Sequence, residues 1–123
     1  MNKNEQTVLI VDDSALIIER LIEMLNGLRS VKDITTASNY SEALATLTEK
    51  KIDTAILDIH LTEKNGIELL KFIVKNYPHI KVVMLSNAGN KKYRELCKKE
   101  GAMYFIDKSK EFELIPEILA NLN

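Results

Sequence analysis

The strongest constraint on this chain is an alternation. Five short apolar runs, at residues 7–11, 31–37, 54–58, 81–85 and 103–106, are each followed by a helix-length amphipathic segment. The first, third and fourth runs read Val-Leu-Ile-Val, Ala-Ile-Leu and Val-Val-Met-Leu, with no polar residue interleaved. Strands apolar on both faces belong in a parallel sheet that helices cover on both sides. The intervening segments repeat at three and four residues. In the first, Ala15, Ile18, Ile22 and Leu25 make the stripe, Leu21 widens it, and Gly27 can stop it in a left-handed turn. The second opens on Asn39 with Glu42 three residues on, a capping pattern, followed by Ala43, Leu44 and Leu47. The third carries Ile67, Leu70, Phe72, Ile73 and Val74 and ends before Pro78. The fourth, 91–99, offers little more than Leu96 and Cys97, and the fifth, from Glu111, shows Leu114, Ile115, Ile118, Leu119 and Leu122. Strand–helix alternation of this kind implies right-handed crossovers and a three-layer α/β sandwich. The 123 residues fit one domain, so the expected organisation is a single domain over 1–123 with no effector module.

Charge narrows the function. Seventeen basic and eighteen acidic side chains give a net charge of -1. Direct nucleic-acid or membrane-surface binding needs a concentrated positive field, and neither is expected here. The pairs Lys91-Lys92 and Lys98-Lys99 read as the wet face of a helix. Cys97 is alone, which rules out a disulfide within the chain and fits a reducing compartment; it reads as helix filler. The polar start at residues 1–6 is no signal peptide and no window is apolar enough to span a bilayer, so a soluble cytoplasmic protein is expected.

In a doubly wound sheet, functional groups collect at the carboxyl ends of the strands, near the switch in strand order. Those ends read Asp12-Asp13 after the first run, Asp58 closing the third, Ser86 after the fourth and Lys108 just past the fifth. Asp12-Asp13 alone could cap a helix, Ser86 could sit in a turn and Lys108 on the surface. An acid continuing the buried run Thr54-Ala55-Ile56-Leu57 is costly without a purpose. Two carboxylates a few ångströms apart repel by about 4 kcal/mol at an effective dielectric of 20. A divalent cation removes that conflict, and oxygen ligands without His or Cys side chains favour Mg²⁺. A hydroxyl and an ammonium can then serve phosphoryl oxygens.

With these residues in place the chain closely resembles the receiver domain of two-component response regulators. The matching pieces are Val8-Leu9-Ile10-Val11-Asp12-Asp13-Ser14, Ala55-Ile56-Leu57-Asp58-Ile59-His60-Leu61 with Gly66, Val82-Val83-Met84-Leu85-Ser86, and Gly101-Ala102 with Phe105-Ile106-Asp107-Lys108-Ser109. The resemblance covers essentially the whole chain and implies a flavodoxin-like (βα)5 fold, its five parallel strands ordered 2-1-3-4-5. It implies that Asp58 accepts a phosphoryl group from a histidine kinase or phosphotransfer protein. Asp13, Asp58 and the backbone carbonyl of His60 would coordinate Mg²⁺ (or Mn²⁺ in its place), with Asp12 acting through water. Lys108 and Ser86 would bind phosphoryl oxygens, and Ser86 and Phe105 would form the switch, the ring turning inward as the serine moves toward the phosphate. The α4-β5-α5 face would meet a downstream protein, with the domain a monomer or a weak phosphorylation-dependent dimer. It would be a signalling switch with self-catalysed phosphotransfer and autodephosphorylation, not a turnover enzyme.

Four positions depart from the common pattern. Thr62 and Ser109 stand where prolines are frequent, and the peptide before the latter is often cis in the family. Asn87 replaces a small residue, and Phe105 lacks a tyrosine hydroxyl. Tyr104 reads as an exposed contact residue, the His60 side chain as solvent-facing, and His79 as inert. Two other classes compete: a degenerate receiver that binds partners without phosphorylation, and a phosphatase with an aspartate nucleophile. The phosphatase needs a second acid two residues after the nucleophile, where this chain has His60. Nucleotide or flavin binding lacks a phosphate-binding glycine loop.

Overall fold

The computed structural model describes residues 5–61, 63–87 and 91–122. The elements alternate as expected: β1 (Gln6–Val11), α1 (Ala15–Leu25), β2 (Val31–Ala37), α2 (Tyr40–Glu49), β3 (Thr54–Asp58), α3 (Gly66–Asn76), β4 (Lys81–Ser86), α4 (Lys91–Lys99), β5 (Tyr104–Asp107) and α5 (Ile115–Ala120). All strand pairs are parallel and the order is β2-β1-β3-β4-β5. The order reverses between β1 and β3, because the chain leaves β1 toward β2 and returns on the other side.

Successive side chains of a strand point to opposite faces, and the core splits accordingly. Leu9, Val11, Ala55, Leu57 and Met84 face Ala43 and Leu47 of α2, Leu70 and Ile73 of α3 and Cys97 of α4. Val8, Ile10, Ile56, Val83 and Leu85 face Leu21 and Leu25 of α1 and Ile115 and Leu119 of α5. Burying each such aliphatic side chain contributes about 1.5–3 kcal/mol, and this explains why the uninterrupted runs took the central strands.

Local signals set the helix ends. Asn39 Oδ1 accepts from the Glu42 N–H at 2.9 Å. The Glu42 carboxylate reaches back past the cap, accepting from Ser38 N–H and Oγ–H. Gly27, just beyond α1, has φ +95, a conformation that costs glycine little. No helix among the described residues is long and apolar enough to cross a membrane.

Several details differ from the sequence reading. β1 begins one residue earlier, at Gln6, whose side chain is buried because its Nε2–H donates to the Leu119 carbonyl and its Oε1 accepts from Thr54. Ala15 is exposed, and the α1 stripe is carried by Leu21 and Leu25 with Ile17, Ile18 and Ile22 half-buried. Leu69 joins Leu70 in the core, and α4 buries Cys97 while leaving Leu96 exposed. The fifth helix does not run from Glu111: a 3-10 turn, Phe112–Leu114, precedes α5, and Leu114 faces solvent. β5 starts at Tyr104, one residue after the start of the apolar run, and Met103 is exposed.

Candidate functional site

The strand ends bring the predicted residues to one crevice. Asp58 is the last residue of β3, paired with Leu85 of β4, and the Ile59 N–H donates to the Leu85 carbonyl at 3.0 Å. Asp12 follows β1 and is tied by its N–H to the Ala37 carbonyl. Its Oδ1 accepts from Ser14 N–H at 2.9 Å, while Ser14 itself caps α1 through the Ile17 N–H. The acids therefore do not cap the helix directly; Ser14 does. Ser86 ends β4, is fully buried, and its carbonyl accepts from Lys108 N–H at 2.8 Å, joining the ends of β4 and β5.

Carboxylate oxygens of Asp12, Asp13 and Asp58 all lie within 4.8 Å of one another. Opposite ligands of an octahedral Mg²⁺ stand about 4 Å apart, so this all-oxygen cluster fits such an ion. Asp12 and Asp58 are buried and Asp13 is exposed. Lys108 Nζ bridges the two buried acids, 2.8 Å from Asp12 Oδ2 and 3.3 Å from Asp58 Oδ1. Burial and the neighbouring Asp12 push the Asp58 carboxyl above the usual aspartate range, against the opposing pull of Lys108 and the His60 N–H.

Backbone packing fixes the approach to Asp58. Gly66 opens α3 directly over the end of β3, and a Cβ there would sit 2.0 Å from the Asp58 carbonyl oxygen. Its N–H donates to the Ile59 carbonyl at 2.7 Å. Asn65 caps α3, accepting from the Ile67 and Glu68 N–H groups. Thr62 lies outside the described residues, but its neighbours are anchored without a proline. The Glu63 carboxylate accepts from Ser41 N–H and Oγ–H at the start of α2, and Lys64 Nζ stands 5.0 Å from the Tyr40 ring centre.

The remaining predicted residues are also placed. His60 is exposed, but its ring does not simply face solvent: it meets Tyr93 of α4 edge-on, centres 6.0 Å apart. Asn87, Tyr104 and His79 are exposed. Ser109 forms a turn instead of replacing proline passively, its N–H and Oγ–H both donating to Asp107 Oδ1 and holding that carboxyl below its usual range. The Lys108–Ser109 peptide is trans. The Cys97 thiol is buried and pushed up to about 11, consistent with filler.

Phe105 is buried, at 8% exposure, and packs with the core of the α2, α3 and α4 face. Sequence reasoning missed what covers it. Arg94 of α4 lays its guanidinium 4.8 Å from the ring centre, with no spacing signal to announce it.

The sequence matches the response regulator receiver domain family over residues 8–120. It is 28% identical over 119 residues to the probable C4-dicarboxylate response regulator DctR of Bacillus subtilis, covering 97% of this chain and 53% of that one. It is 36% identical over 110 residues to a protein-glutamate methylesterase/protein-glutamine glutaminase of Clostridium acetobutylicum, covering 87% of this chain and 32% of the relative. The chain thus spans about half or less of these relatives' length. The response regulator domain of Thermotoga maritima CheB superposes with a TM-score of 0.81 at 28% identity, covering 96% and 98% of the two chains. A signal receiver domain of an HD domain-containing protein from Pseudomonas fluorescens superposes at 0.82 with 25% identity, covering 93% and 91%. With its strand-end acids gathered as that fold requires and its sequence matched almost throughout, the chain belongs to the response regulator receiver domains, the phosphoacceptor modules of two-component phosphorelay signalling.

Proposed function

We propose that Asp58 is the phosphoacceptor, taking a phosphoryl group from a histidine kinase or phosphotransfer protein. The observation that carries this is the three-carboxylate cluster within 4.8 Å, bridged by Lys108. An Asp58 Oδ attacks the donor phosphorus, forming the acyl phosphate while the donor's bond to phosphorus breaks. The nucleophile is the carboxylate form of Asp58, which needs no base to attack. Lys108, just past a strand end tied to Ser86, would leave Asp12 and Asp58 for a phosphoryl oxygen, and the Ser86 hydroxyl would serve another. Asp13, Asp58 and the His60 carbonyl would hold Mg²⁺, or Mn²⁺ in its place, with Asp12 assisting through water. The bound ion would supply positive charge that relieves carboxylate repulsion and steadies the phosphoryl oxygens.

The output is contact with a downstream protein through the α4-β5-α5 face, where Tyr104 of β5 is exposed. The domain works as a signalling switch on itself, with no turnover of a separate substrate. Acetyl phosphate with Mg²⁺ should add one phosphoryl mass to the wild type and none to Asp58→Ala; a wild type without adduct refutes the reading. Asp13→Ala should lose Mg²⁺ affinity. A wild type that binds no Mg²⁺ would point to the degenerate receiver instead.

A further inference from the structure

Arg94 makes three contacts outside its own helix. Its Nη1–H donates to the Phe105 carbonyl at 3.2 Å, and its Nη2–H to Glu111 Oε1 at 2.9 Å, closing an ion pair. Its plane also covers the Phe105 ring at 4.8 Å. Glu111 Oε1 accepts in addition from the Asp107 N–H at 3.0 Å. One guanidinium thus joins α4 to both the strand that delivers Lys108 and the turn leading into α5. Elsewhere α4 buries only Cys97 and half-buries Tyr93, whose ring meets His60 edge-on.

The contacts are individually modest. A half-exposed ion pair is screened by solvent, and a cation over an aromatic face in reach of water adds little by itself. Together they oppose a specific motion: α4 cannot slide along β5 without breaking all three, and the ring cannot leave its seat without losing the guanidinium over its face. Packed elements tied in this way change between discrete arrangements.

We propose that Arg94, paired with Glu111, is a positioning residue that latches α4 over Phe105 and so couples the position of α4 to the state of the strand-end site. The coupling rests on the phosphoacceptor reading of Asp58, whereas the latch does not. Lysine at this position would keep the charge opposite Glu111 but lose the flat group over the ring and the rigid fork that reaches both acceptors.

The buried Cys97 thiol, on the same helix, supplies the probe, and iodoacetamide labelling of it reports opening of α4. In the unphosphorylated protein, Arg94→Ala should label about fivefold faster, and the Asp107 amide should exchange its hydrogen faster by a similar factor. Amides of β1 and β3 should be unchanged, which separates a local latch from general destabilisation, and Arg94→Lys should fall between. Rates in Arg94→Ala equal to wild type would overturn the latch. Loading with acetyl phosphate and Mg²⁺, verified by intact mass, should shift the Cys97 rate about threefold or more in wild type and hardly at all in Arg94→Ala. Equal responses in the two proteins would overturn the coupling. Failure to form the adduct would instead count against the phosphoacceptor reading, leaving the unphosphorylated comparison to decide the latch.

Discussion

Replacing Asp58 by asparagine should stabilise this protein when no divalent cation is present. The side chain keeps its shape and can still accept from the His60 N–H and Lys108, but it loses its charge. In the wild type Lys108 Nζ stands 3.3 Å from Asp58 Oδ1, and oxygens of Asp12 and Asp13 lie within 4.8 Å. At an effective dielectric of 20 these separations give one attraction of about 5 kcal/mol and two repulsions of about 3.5 kcal/mol each. Screening at the exposed Asp13 roughly halves its share. Attraction and repulsion then nearly cancel, and burial of the ionised carboxylate is left as the net cost. The expected gain in Asp58→Asn at pH 7 is about 1–2 kcal/mol, or about 3–8 °C in Tm for a domain of this size.

The sign with pH follows from the same balance. The Asp58 carboxyl is raised by burial and by Asp12. The wild type therefore pays nothing below the ordinary aspartate range, where the group is protonated in both states. Its deficit grows as pH rises through the window between that range and the folded value. The advantage of the variant should accordingly shrink toward zero on acidification. Saturating Mg²⁺ should reverse the order, since an ion that binds only the folded wild type adds about 2.7 kcal/mol at a hundredfold excess over Kd. Urea unfolding followed by circular dichroism, with EDTA or Mg²⁺ and across pH, reads all three. A variant less stable than wild type in EDTA at pH 7 would refute the reasoning.

Three further outcomes are expected from the geometry. Gly66→Ala places a methyl 2.0 Å from the Asp58 carbonyl oxygen; it should cost about 2–4 kcal/mol by denaturation and lower Mg²⁺ affinity through displacement of the β3 end. Gln6→Ala strands the Thr54 hydroxyl in the core and leaves the Leu119 carbonyl only its backbone partners at the end of α5, for a loss of about 1–3 kcal/mol in urea unfolding. Asn39→Ala removes the α2 cap on the Glu42 N–H and should lower the thermal midpoint by the equivalent of about 1 kcal/mol.

The central sheet was legible because burial on both faces leaves no room for polar alternation, and β1, β3 and β4 show none. The site was legible for a related reason: Asp58, Asp12 and Ser86 interrupt apolar runs at their carboxyl ends, where the fold exposes them to one another. What escaped depends on partners distant in sequence. Gln6 looks like a polar start, yet its N–H joins the ladder to β2 and its side chain finds Leu119 and Thr54 in the core. Leu114 looks apolar enough for a helix stripe, yet the 3-10 turn rotates it outward ahead of Pro116. Arg94 sat among lysines in a segment read as wet, and nothing local distinguishes a guanidinium that will cover a ring from one that will not. Ser109 was read as an absent proline, whereas its two donors to Asp107 build a turn that proline could not form.

The backbone-on-backbone seat of Gly66 separates two jobs that a loop usually performs together. Where α3 begins relative to Asp58 is set by a missing side chain, one N–H to Ile59 and the Asn65 cap, not by the side chains of His60, Leu61, Glu63 or Lys64. Those positions are therefore free to diversify at the rim of the site while the acceptor stays in register. Grafting the corresponding stretch from another receiver, with length kept and Asn65 and Gly66 retained, becomes a practical way to exchange what surrounds the acceptor without rebuilding the sheet beneath it.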